Sequence, residues 1–225
     1  MEKKKRFGSK AKGNSFERQT ADYLRMIFQL PFMRTPSSGG MIGQSNFHRA
    51  ETLSETQNLM VRGDIIVPLE LNCFTFECKF YASFATDKLF SENKQLETWI
   101  TQAKDNVGYK IWMLIYKANH IYPNVCFDIS LLDKITSTGK KIVLGSYLVY
   151  QGKYIITLFE NFFRVNKEYI LDLNKDIVKE IKDKKEELLL IEQQKVDVTK
   201  CVQLNNTATT AFVQEKELVG GILPE

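Results

Sequence analysis

The sequence predicts an α/β fold: a mixed central β-sheet flanked by helices on both faces, with a helical extension at the C-terminal end. Three observations predict it. Cys73–Tyr81 alternates between two faces, and Ile111–Tyr116 is a continuous apolar run of the kind that forms a central strand. Around them lie segments whose apolar residues recur at helical spacing. At 225 residues, 44% hydrophobic and 12% aromatic, the chain can bury a sizeable core, which excludes wholesale disorder. No apolar run approaches the ~18 residues that a membrane span requires, and no apolar core follows the basic start as in a secretory signal. Cys73, Cys78, Cys126 and Cys201 show no CxxC spacing and no histidine partner, so reduced thiols and a cytoplasmic setting are expected rather than zinc or disulfides.

In order, residues 1–12 read as a flexible basic arm, followed by a main domain over 13–165, a charged helix over 166–195 and a weakly patterned tail over 196–225. Net charge is only +4, yet residues 2–18 carry seven basic side chains against Glu2 and Glu17. Such a block attracts phosphate by counterion release, or merely solubilises the chain. A helix is expected from Asn14 to about Leu30, where Pro31 closes it. Thr35–Gly43 is a loop by composition, and 44–62 carries no clear pattern. Asp64–Val67 is a short strand, Pro68–Asn72 a turn and Cys73–Tyr81 a strand, so the first and last can run antiparallel. Phe74, Phe76, Cys78 and Phe80 share one face; Glu77 and Lys79 share the other.

Ser91 is the expected cap of a helix reaching about Asn106, with Leu96, Trp99, Ile100, Ala103 and Val107 as its buried stripe. Val125–Leu132 and Ser146–Tyr150 are further strands, and Gln151-Gly152-Lys153 turns into Tyr154–Phe159. The aromatics from Tyr147 to Phe163 are expected to fill the sheet core rather than stack on bases. From Lys167 to about Gln194 the chain is helical and charged, with Ile177, Ile181 and Leu188 on its apolar stripe. His48 and His120 have no metal-ligand spacing.

The chemistry concentrates where a core pattern predicts few charges. Asp64 opens a strand, Glu77 lies inside a phenylalanine-rich one, and Lys79 follows two positions on. Two carboxylates meeting there form a hard oxygen site suited to Mg²⁺ or Mn²⁺, with an ammonium group alongside to neutralise a phosphoryl group. An exposed strand face with paired charges is the plainer alternative. Glu17 can either close a capping box on Asn14 or reach the site as a third carboxylate.

Taken together, Lys12-Gly13-Asn14-Ser15-Phe16-Glu17-Arg18, Arg34 before Ser37-Ser38-Gly39, Gly63-Asp64 and Glu77-Cys78-Lys79 resemble the ordered motifs of the PD-(D/E)XK nucleases. Within that superfamily they look most like archaeal-type and phage-encoded Holliday junction resolvases. The resemblance spans residues 10–117 and rests on the order of four motifs. It implies a restriction-endonuclease-like core and Mg²⁺-assisted cleavage of branched DNA by a homodimer, with Mn²⁺ able to substitute. The setting it implies is the cytoplasm, at the nucleoid, or the host cytoplasm for a phage protein.

By the same resemblance Asp64, Glu77 and Glu17 hold the metal, and Lys79 is the catalytic lysine. Arg34 and one of Ser37 or Ser38 serve the scissile phosphate, and Gln102 on the following helix either faces the site or is a solvated polar group. Apart from the resemblance, Lys10, Lys12 and Arg18 of the basic start are candidate DNA contacts by charge, and Arg62 in the longer stretch before Asp64 either contacts DNA or pads the surface. Gly63 stands where the superfamily name has proline, and Arg34–Asp64 is longer than in compact resolvases. A sequence-specific restriction or Mrr-like endonuclease, and a non-catalytic DNA-binding protein on the same scaffold, are the rival expectations.

Overall fold

The computed structural model describes residues 8–36, 63–105 and 110–219, with side chains described up to residue 193. Ser37, Ser38, His48, Arg62, Val107 and the side chain of Cys201 lie outside those described residues. Helix α1 (Ser9–Phe28) is followed by two short strands, β1 (Met33–Arg34) and β2 (Ile65–Ile66). Strand β3 (Phe74–Tyr81), helix α2 (Lys94–Asp105) and strand β4 (Ile111–Ala118) come next. Then come β5 (Asn124–Asp128), β6 (Tyr147–Tyr150), β7 (Tyr154–Leu158), α3 (Phe159–Val165) and α4 (Lys167–Val219).

The main sheet has the order β3-β4-β5-β7-β6. β3 and β4 are parallel, and the remaining pairs are antiparallel. A parallel pair requires a crossover, which α2 supplies. The alternation of β3 sorts its two faces as the sequence predicts. Phe74, Phe76 and Cys78 join Met113 and Ile115 of β4 in a core closed by α1 and α3. Trp112, Leu114 and Tyr116 of β4 pack with Leu96, Trp99, Ile100 and Ala103 of α2 on the opposite face. The mixed sheet thus carries helices on both sides, in agreement with a restriction-endonuclease-like core.

Several boundaries differ from the sequence reading. α1 begins at Ser9 rather than Asn14, with Gly8 as its N-cap and no side-chain capping bond. The capping box is absent because Asn14 and Glu17 are already inside the helix and both bond Arg34. α2 begins after Asn93, not Ser91: Asn93 Oδ1 accepts from the Leu96 amide at 3.1 Å, while its amide group donates to the Ala85 carbonyl. Val125–Leu132 is strand only to Asp128, whose carboxylate accepts from the Ser130 amide and opens a 3-10 turn. The Gln151-Gly152 turn does form, with both residues at positive φ (51° and 64°), matching a hairpin of the I′ kind.

The largest surprise among the aromatics is α3. The strand expected to reach Phe159 ends at Leu158, and Phe159, Phe162 and Phe163 lie on this short helix, where the Phe163 ring meets those of Phe159 and Phe162 edge-on at 5.2 and 5.1 Å. They still fill the core, whereas Tyr147 is half-exposed on β6. The chain separates into two units, residues 1–177 and 178–225. In the first, Tyr169, Ile170 and Leu173 of α4 pack in the core. The second is helical to Val219, beyond the tail boundary at 196. Its polar composition hides helix, but no glycine or proline interrupts 167–219.

Candidate active site

The site is assembled at the free margin of β3, the terminal strand of the main sheet. Gly63 approaches this margin with φ of +79°, and a Cβ there would stand 2.7 Å from the Phe76 carbonyl oxygen. Only glycine fits so close an approach with that backbone. The turn it permits lets the Asp64 amide donate to the Phe76 carbonyl at 2.8 Å, while the Asp64 carbonyl accepts from the Thr35 amide at 2.9 Å. The Asp64 carboxylate then accepts from the Cys78 amide at 2.8 Å. The antiparallel ladder expected between Asp64–Val67 and β3 is not the regular pairing; β2 pairs with β1 instead. The bonds around Asp64 do the work of holding it beside β3.

Glu77 and Lys79 point to the α2 side of the sheet, and Lys79 Nζ donates to Glu77 Oε1 at 2.7 Å. Both are largely buried, Glu77 to 9% exposure. Glu17 comes from α1 on the other face. It is 8% exposed and ion-paired with Arg34 Nε at 2.5 Å, and Arg34 also donates to Asn14 Oδ1 at 2.9 Å. Arg34 is therefore engaged with Glu17 in this arrangement, although the sequence reading aims it at the scissile phosphate.

Electrostatics show how closely these groups share space. Burial and the facing Glu77 carboxylate, with Glu17 beyond, push the Asp64 carboxyl up to about 7; the Cys78 amide and Lys79 oppose the rise. Burial pulls the Lys79 ammonium down, but Glu77 and Asp64 more than offset it and leave it above the ordinary lysine range. Lys79 therefore holds its proton and acts as a fixed cation. The Cys78 thiol is pushed well up by full burial and the same carboxylates, which leaves it inert.

The remaining predicted residues are more scattered. Lys12 is half-buried on α1 with its ammonium 6.0 Å from the Phe80 ring centroid. Lys10 and Arg18 are exposed on the same helix. Gln102 is exposed on α2, one turn beyond Trp99, whose ring lies 4.9 Å from that of Tyr81. Sequence reasoning did not single out Asn14 or Lys117. Asn14 was read as a cap, yet its spacing from Glu17 places both on one face of α1, toward Arg34.

Residues 8–172 match the model of the family described as "Phage putative PDDEXK endonuclease". The chain belongs to that family. The match extends well past residue 117, so β5–β7, α3 and the start of α4 are part of the family's domain rather than an unrelated appendage. No curated protein and no solved structure matches the chain. The chain is accordingly a nuclease of the PD-(D/E)XK superfamily, a group that generally uses divalent metal ions.

The residues present fit such an ion. Asp64 and Glu77 crowd two carboxylates into one poorly solvated space, where burial and the facing Glu77 raise the Asp64 carboxyl. Among the described residues no group of three or more His, Cys, Asp and Glu side chains is gathered to hold a metal. A hard divalent cation can be held by one or two carboxylates together with waters and substrate phosphate, so a pair of carboxylates is a sufficient protein contribution. No helix of the described residues is long and apolar enough to cross a membrane.

Proposed function

We propose that this protein is a Mg²⁺-dependent endodeoxyribonuclease that cleaves branched DNA, acting as a homodimer on four-way junctions in the cytoplasm. Mn²⁺ is expected to substitute. The observation that carries the reading is the meeting of Asp64, Glu77 and Lys79 at the open margin of β3, two carboxylates with an ammonium group beside them. Asp64 and Glu77 would hold the ion, with Glu17 in electrostatic reach of Asp64 as a supporting group. When bound, the ion polarises a phosphate oxygen and lowers the pKa of a water.

The chain's own groups then do the following. The Cys78 amide fixes the Asp64 carboxylate, and Glu77 orients the Lys79 ammonium. Lys79, kept protonated, faces the negative charge that gathers on the phosphoryl oxygens as water attacks. The attacking water gives up one proton to solvent as its oxygen bonds to phosphorus, the opposite P–O ester bond breaks, and the departing oxygen takes up a proton from solvent. Arg34 of β1, itself donating to Asn14 Oδ1, steadies Glu17.

Symmetric cutting of a four-way junction needs two sites, which favours a two-fold dimer. The exposed run Leu188, Leu189, Leu190 and Ile191 on α4 offers apolar surface for it. The test is cleavage of an immobile four-way junction and of linear duplex with the same ion, with product strands mapped. Paired nicks near the branch point support the junction reading. Preferential cutting of linear duplex at a fixed sequence would replace it with a restriction-type activity. Inertness of wild type on every substrate and ion would remove the enzyme reading.

A further inference from the structure

Phe80 follows Lys79 on β3 and points to the opposite face of the sheet, where its ring lies 5.9 Å from that of Phe16 on α1. Two lysines converge on this one ring. Lys12 of α1 places its ammonium 6.0 Å from the ring centroid, and Lys117 of β4, the register partner of Phe80, places its own at 5.8 Å. Both side chains are half-buried. Among the described residues neither has a carboxylate partner.

The negative face of the ring attracts each ammonium, so it holds two like charges that no carboxylate among the described residues pairs with. Half-burial and the hold of the ring restrict both ammonium heads, which reduces the entropy lost on contact with an anion. Lys12 also sits one turn before Phe16, next to Glu17, and Phe80 adjoins Lys79. The pair of cations is therefore adjacent along the chain to the region of Glu17 on α1 and to Lys79 on β3, on the face of the sheet opposite Lys79.

We infer that Lys12 and Lys117, clamped on Phe80, form a binding site for the backbone phosphates of the DNA substrate, beside the site of cleavage. This rests on the nuclease reading given above. Lys117 is the part that the sequence does not disclose, because it stands at the end of an apolar strand and meets Lys12 only through the fold.

The test is duplex and junction affinity at several salt concentrations, with divalent ions omitted so that binding is read without cleavage. Lys12→Met and Lys117→Met keep an apolar stem over Phe80 and remove only the charge. Each is expected to flatten the slope of log K against log[salt] by about 0.9, and the double variant by about twice that, with weaker binding on every sequence. Lys117→Arg restores the wild-type slope. Lysines that merely cover Phe80 would leave the slope untouched in the Met variants, and that result overturns the inference while the nuclease reading stands. Absence of any salt-dependent DNA affinity in wild type would overturn both. A Lys117→Met variant with altered near-UV circular dichroism is replaced by Lys117→Gln under the same criterion.

Discussion

The Asp64 carboxylate accepts the Cys78 amide at 2.8 Å, so one acidic residue is tied to the strand a single position beyond the other, Glu77. The bond requires an acceptor, not a charge. Asp64→Asn retains an acceptor and is expected to fold normally yet lose metal-dependent cleavage by ~10³-fold or more, the scale set by removing several kcal/mol of charge stabilisation. Glu77→Ala should fall as far. Single-turnover cleavage with circular dichroism on the same samples checks both; an active, folded Asp64→Asn protein would discard the two-carboxylate site.

Lys79→Met should reduce the cleavage rate by roughly 10²–10³ while leaving the fold and DNA affinity close to wild type. Lys79→Arg should recover part of it, since the ammonium acts as a fixed cation. Rates measured at saturating DNA distinguish this from weakened binding.

Asp64 also makes the metal-free protein sensitive to pH. Its folded carboxyl titrates at about 7, above the ordinary 3.8, so the native state holds that proton more tightly than the unfolded chain. The stability so contributed is complete below the unfolded pKa and is lost as pH rises through about 7. Thermal melts without metal should therefore show Tm falling from about pH 5 to about pH 8, with Asp64→Asn flattening that fall. A divalent ion replaces the proton, so it should raise Tm most above neutrality. A metal-free Tm that climbs over the same interval would contradict the crowding of Asp64 against Glu77.

Gly63→Ala tests the approach to the margin of β3. The added Cβ would lie 2.7 Å from the Phe76 carbonyl at a backbone angle that L-residues rarely adopt. A loss of about 1–3 kcal/mol in unfolding free energy is expected, together with weaker cleavage because Asp64 is displaced. Urea unfolding and cleavage on the same preparation check it; wild-type values for both would show that Gly63 has room.

Arg34→Ala leaves the Glu17 carboxylate, largely buried, without its guanidinium. Removing one partner of such a pair costs on the order of 3–5 kcal/mol when burial is complete, and somewhat less here. Arg34→Ala with Glu17→Gln should regain most of that stability. A double-mutant cycle on Tm reads the coupling, and additive losses would show that the pair contributes little.

Much of this architecture is legible in the residues themselves. The strict alternation of Phe74–Phe80 separates core from site, because successive side chains of a strand must take opposite faces. The apolar run at Ile111 announces a central strand for the same reason that it is buried on both sides. The contacts of Asp64 were only half legible. Its nearness to Glu77 follows from the intervening turn, but the Thr35, Phe76 and Cys78 bonds depend on groups that every residue carries. Arg34 shows the same limit. A guanidinium suits a phosphate or a carboxylate equally well, and only the fold brings Glu17 within 2.5 Å of it. The aromatics from Phe159 to Phe163 are legible as core but not as helix, because bulky aromatics suit either element at that length.

β3 ends the sheet, and its outward groups at Phe76 and Cys78 are both taken by Asp64. Uncovered margins invite a strand from another molecule, and proteins commonly guard them with charge or irregular backbone. Here the guard is an acidic residue that is also the proposed metal ligand, so position 64 would answer to two demands at once. Truncation to alanine would abandon both, opening the Cys78 amide to a foreign chain, whereas asparagine gives up only the first. Self-association found in an alanine variant and absent from the asparagine one would therefore record a lost barrier to assembly rather than a lost reaction.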